Sequence, residues 1–125
     1  MKIRCTPQDY VKFIGYCREY IDRFHLGQWE IVYKFDKKKE SDKLAHCEFG
    51  VNALHAKITL YADWSPQNEV TDKTLRETAL HEVLHLMFAD LTYAEICSKG
   101  EVLIREREHE VINRIILGLL YKRHK

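Results

Sequence analysis

The chain has 125 residues, and no apolar run in it approaches the roughly 18 residues that a membrane-spanning helix requires. Its mean hydropathy is −0.41, so no membrane span is expected. It also lacks an excess of charge of either sign. Lys and Arg together number 20 and Asp and Glu 19, for a net charge of +1, which excludes binding to a polyanion through bulk charge and leaves only a local basic patch open. Paired cysteines are missing too. Cys5, Cys17, Cys47 and Cys97 are far apart and form no CxxC unit, so a cysteine zinc site, a redox motif and a disulfide framework have no support. Isolated thiols of this kind pack as small hydrophobes. The opening stretch from Met1 to Pro7 has no apolar core of the secretory type, and the expected location is cytoplasmic. There is no internal repeat and no low-complexity tract.

What remains has the composition of an ordinary globular protein, 46% hydrophobic and 31% charged. One domain over residues 1–125 is expected. A chain of this length buries roughly two-thirds of its unfolded surface and needs no covalent staple.

The first helix is signalled by Thr6 as N-cap, Pro7 at the first helical position and Asp9 near the positive helix end. Tyr10, Phe13, Ile14, Cys17, Tyr20, Ile21 and Phe24 then recur at helical spacing as one apolar stripe, and Gly27 is placed to stop it. The aromatics of this stripe, with Tyr16, are read as core packing. Trp29, Ile31, Tyr33 and Phe35 alternate, which predicts a strand over residues 29–36. A second strand is predicted over Leu44 to Val51 and a third over Ala56 to Ala62, and the short connections favour a mostly antiparallel, meander-like sheet. The run from Lys37 to Lys43 reads as a solvated loop. From Thr71 or Asp72 to Leu91 the pattern is helical and apolar on most sides, the mark of a central buried helix. A last helix is predicted from Lys99 or Glu101 to Tyr121, with Ile112, Ile115, Ile116 and Leu119 on its core face. The order α-β-β-β-α-α makes this an α+β domain, a small sheet packed on the central and C-terminal helices.

The central helix contains His81-Glu82-Val83-Leu84-His85, an HExxH string. Two histidines four apart on a helix point the same way from consecutive turns. Both imidazoles can then reach one Zn2+ ion at roughly 2.0–2.1 Å. Glu82 lies about 100° round the helix from His81. That offset keeps it off the metal and beside a metal-bound water, where a carboxylate serves as general base. Composition alone yields such a string in about 4% of chains of this make-up, so its setting matters. Two histidines and a glutamate inside an apolar helix carry a desolvation cost unless something binds them.

A catalytic zinc takes three protein ligands and keeps a fourth position for water. The extended pattern HExxHxxGxxH fails, because Phe88 and Leu91 stand where Gly and the third His would be. The last helix offers alternatives. Glu108 falls about 40° from Ile112, within the core face, where Glu101 and Arg105 also fall, and His109 lies about 60° away on its edge. Glu108 is the first choice as third metal ligand and His109 the rival. The bland reading of Glu108 is an ion pair with Arg105, worth a few tenths of a kcal/mol.

His81-Glu82-Val83-Leu84-His85 followed by a Glu on the next helix resembles the zincin metallopeptidases of the gluzincin branch. The small size and the element order are similar to the minimal zincin-like proteins encoded by bacteriophages and prophages. The resemblance spans roughly Leu44 to Lys122. It implies a zinc-dependent peptidase in which His81, His85 and Glu108 bind zinc and Glu82 is the catalytic base. It implies a peptide or protein substrate aligned by strand addition to an edge strand, for which residues 56–62 are the candidate. Gluzincins often carry an acidic residue four positions after the third ligand. That position is Ile112 here, whereas Asn113 follows His109 at the same spacing. The oxyanion of the reaction needs one donor besides zinc, with His46, His55, Tyr61, Tyr93 and Arg105 as candidates. The alternative from a different class is a non-catalytic, metal-bearing binding protein of phage type with a structural zinc. The basic runs at Lys37–Lys39 and Lys122–Lys125 are read as solvated, and no direct nucleic-acid ligand is expected.

Overall fold

The computed structural model of the chain describes residues 2–37, 43–50, 54–64, 68–89, 112–116 and 119. They form an α+β arrangement: helix α1 (Pro7–Arg23), strands β1 (Glu30–Asp36), β2 (Ala45–Gly50) and β3 (His55–Tyr61), and helix α2 (Asp72–Met87). A third helical segment follows at residues 112–116.

The start of α1 is built as its sequence predicts. The Thr6 side chain accepts from the Asp9 N–H at 3.2 Å and the Asp9 carboxylate accepts from the Thr6 N–H at 2.8 Å, a reciprocal capping box with Pro7 behind it. The helix ends earlier than Gly27. His25 takes the left-handed conformation, with φ 58°, and the His25 and Leu26 N–H groups donate to the carbonyls of Asp22 and Ile21. This pair of bonds is a Schellman closure with histidine in the place glycine usually holds.

The sheet differs from the meander expectation. Its order is β1-β3-β2, with β1 parallel and β2 antiparallel to β3. Eight residues, 37–44, separate β1 from β2 in sequence, more than a tight hairpin turn holds, so nothing local sets β2 beside β1, and β3 lies between the two. Residues 56–62 are therefore not an edge. β3 is the central strand, and β2 is the edge strand that lies against α2.

Alternation holds within each strand. Ile31, Tyr33 and Phe35 of β1, Ala56, Ile58 and Leu60 of β3 and Ala45, Cys47 and Phe49 of β2 turn to one face and join the core. Both long helices cover that face. Tyr10 of α1 stacks on Phe35 at 5.0 Å between ring centroids, and the Arg18 guanidinium lies over Tyr33. The other face is polar, with ion pairs Glu30–His55 and Glu48–Lys57 across the strands. The expected core reading of the first helix's aromatics holds for Phe13 and Tyr20, which are wholly buried. Tyr10, Tyr16 and Phe24 are partly buried and pack against the same core, and Tyr16 also takes the Arg76 guanidinium at 4.3 Å.

Helix α2 buries Leu75, Ala79, Leu80, Val83, Leu84 and Leu86, and it is the central helix the sequence predicts. It ends at Met87, which is half exposed. Ile112 and Ile116 are buried in the same core, whereas Leu119, expected inward, is 41% exposed. Cys5 and Cys17 are buried free thiols and Cys47 is half-buried. Among the described residues no helix is long and apolar enough to cross a membrane.

Candidate metal centre

The spacing of His81 and His85 acquires its three-dimensional meaning on α2. Their rings stand one above the other on consecutive turns, with centroids 5.0 Å apart and planes inclined by 73°. Two imidazoles bound to one zinc at about 2.0–2.1 Å with a near-tetrahedral angle have centroids about 5 Å apart, so the pair is already at the separation a shared ion requires. Both residues are half-buried, and His81 lines the cleft described below.

Glu82 sits between them in sequence and deeper in the fold, 6% exposed. Burial pushes its carboxyl up to about 7, against a smaller opposing pull from His85 and Lys43. A carboxyl held near neutrality can both take and return a proton at physiological pH. Beneath it lies Cys17 of α1. Its thiol is raised well above the ordinary value by burial first, then by the negative fields of Glu82 and Cys47, so it serves as apolar filling under the carboxyl.

Beside His81 and Glu82 opens a cleft of about 420 Å³. Its floor is α2, where Glu77 and Thr78 precede His81 and Glu82 by one turn. One wall is the chain entering β2, Lys43 to Ala45, and the other is Asn113 and Ile116. The segment 112–116 thus meets the HExxH helix at the cleft. Among the described residues no group of three His, Cys, Asp or Glu gathers to hold a metal. Glu108 and its rival His109 lie outside the described residues, as do Glu101 and Arg105.

Of the oxyanion-donor candidates, His46 lies near the centre and His55 does not. His46 is half-buried on the edge strand, near enough to His85 for their charges to act on each other. Lys43 donates to its Nδ1 at 3.3 Å, and Glu48 stands 3.8 Å from its Nε2. Burial, then the Lys43 charge, lowers its proton affinity. His55 is paired with Glu30 at 3.0 Å at the start of β3. Tyr61 ends the central strand, its carbonyl accepting from the Trp64 indole. Tyr93 lies outside the described residues.

Two cleft residues, Lys43 and Glu77, escape the sequence reading as site residues, and Asn113 enters it only through its spacing from His109. Lys43 is read there as loop solvent, yet it stands at the cleft mouth and acts on Glu82. Glu77 and Asn113 have only one helix turn of separation, from His81 and from His109, as a signal. The bound metal that the HExxH string implies fits the residues present to the extent of two ligands and a base. No protein-family model, no curated protein and no solved structure matches the chain, so the functional reading stands on these residues and their geometry.

Proposed function

We propose that the protein is a cytoplasmic zinc-dependent metallopeptidase of minimal zincin type, with His81, His85 and Glu108 as the metal ligands and Glu82 as general base. The observation that carries this reading is the pairing of two imidazoles at shared-ion separation with a buried carboxyl next to the first of them, His81 and Glu82 both lining an open cleft. A structural zinc site has no use for that carboxyl, and burying it costs several kcal/mol without a partner. A catalytic role accounts for its retention.

Zinc bound there would polarise the scissile carbonyl and acidify the attacking water. The chain's own groups do the rest. Glu82 takes the water's proton and returns it to the leaving amine, which a group titrating near 7 can do in both directions. Among the described residues β2 pairs on one side only, and its other edge would present backbone N–H and C=O groups to an extended peptide and fix the peptide's direction along the cleft. Lys43 brings positive charge to the cleft mouth, and its bond to His46 Nδ1 leaves the histidine proton on Nε2.

The test is hydrolysis of an unfolded protein substrate such as casein by zinc-loaded wild type and by Glu82→Gln. Wild type is expected to cleave and to lose activity with a chelator. The variant is expected to keep zinc and to lose at least about 100-fold in rate. Equal activity in both proteins sinks the assignment of the base, and a fully zinc-loaded wild type that cleaves nothing favours the binding-protein alternative.

A further inference from the structure

We propose that the cleft beside His81 is a subsite for a long basic side chain, lysine or arginine, with Glu77 as the residue that selects it. The inference rests on the peptidase reading for its substrate but on separate residues for its chemistry. At about 420 Å³ the cleft is within the range of sites built for small groups. Its walls carry Leu44, Ala45 and Ile116, which suit the methylene stem of a lysine or arginine. Along its floor stand two carboxyls one turn and a residue apart, Glu77 and the almost wholly buried Glu82.

Among the described residues no other ionic group forms an ion pair with Glu77, and the Lys43 ammonium, whose bond to the His46 ring leaves its charge in place, is exposed at the cleft mouth. Lys43 donates to His46 and acts on Glu82. Arg76, the neighbour of Glu77 in sequence, turns the other way to Glu19 at 3.0 Å and to the Tyr16 ring. Glu77 is half-buried and has no ion pair among the described residues. A half-buried carboxylate on an apolar-walled cleft gains a charge-assisted bond from an incoming ammonium or guanidinium. An acidic side chain in the same place would meet two carboxyls and be rejected.

The experiment measures binding apart from cleavage. Fluorescent eight-residue peptides, alike except for one central Lys, Arg, Leu or Glu, are titrated by anisotropy into Glu82→Gln protein with and without one equivalent of zinc. The basic peptides are expected to bind about tenfold more tightly than the Leu and Glu peptides. Adding Glu77→Gln should level the series, and adding Glu77→Lys should turn the preference toward Glu. A series that is flat in the Glu82→Gln protein, or a basic preference that survives Glu77→Gln, overturns the proposal. Cleavage of the same peptides by wild type reports on the peptidase reading alone. Cleavage without charge preference ends the subsite and leaves the peptidase, and basic preference without cleavage does the reverse.

Discussion

The ring of His81 and the ring of His85 are 5.0 Å apart on adjacent turns of one buried helix. That relationship makes the metal content of the purified protein the most direct measurement. About one zinc per chain is expected. His81→Ala or His85→Ala should empty the site, a loss larger than the about 10–100-fold that follows removal of an outer partner. Glu108→Ala should empty it as well. Full occupancy in Glu108→Ala together with an empty site in His109→Ala would transfer the third ligand to His109.

Ile112 is wholly buried, and its neighbour Asn113 is exposed at the cleft. Ile112→Ala removes methyl groups from a packed site and should cost about 2–5 kcal/mol in urea unfolding. Asn113→Ala should change stability by no more than about 0.5 kcal/mol. Equal effects from the two would show that residues 112–116 do not share the core of α2.

The carboxylate of Asp9 accepts from the Lys2 ammonium at 2.7 Å and from Thr6. Burial works to raise its proton affinity, and these bonds together outweigh it, so the folded value lies below the ordinary one. A carboxyl with a lowered folded value stabilises fully above its unfolded value, near 4, and loses that contribution as pH falls through the folded value. Asp9→Asn should therefore cost about 1 kcal/mol at pH 7 and progressively less below pH about 4. A cost that stays constant from pH 7 to pH 3 would contradict the ionic account of the cap.

His25 holds the left-handed turn that closes α1. A residue with a Cβ pays about 1–2 kcal/mol for that conformation, and glycine does not. His25→Gly should raise stability by about 0.5–1 kcal/mol after the added freedom of the unfolded chain is subtracted. A drop in the thermal midpoint would mean that the imidazole makes contacts worth more than the strain.

Much of this molecule is readable along the chain because it rests on neighbours in sequence. Thr6, Pro7 and Asp9 cap α1 through bonds spanning three residues, and the alternation of Ile31, Tyr33 and Phe35 assigns a face wherever the strand is placed. The HExxH spacing likewise puts His81 and His85 on one side of α2 by helix geometry alone. The end of α1 is less legible. Gly27 is the residue a sequence reader expects to hold the turn, but the carbonyls of Ile21 and Asp22 are met at His25 and Leu26.

Strand order was beyond the reach of the pattern. Alternation says which way a side chain points and nothing about which strand lies alongside, so the insertion of β3 between β1 and β2 could not be foreseen from residues 55–61. The same non-local pairing leaves β2 at the edge of the sheet among the described residues and puts the exposed Lys43 at the mouth of the cleft. The sequence by itself determined the helix caps, the facing of each strand and the two imidazoles on one helix side, all of which are settled within a few residues. Only the tertiary structure decided which strand borders the HExxH helix and which charges share the cleft beside it, because those depend on contacts between segments that are distant in the chain.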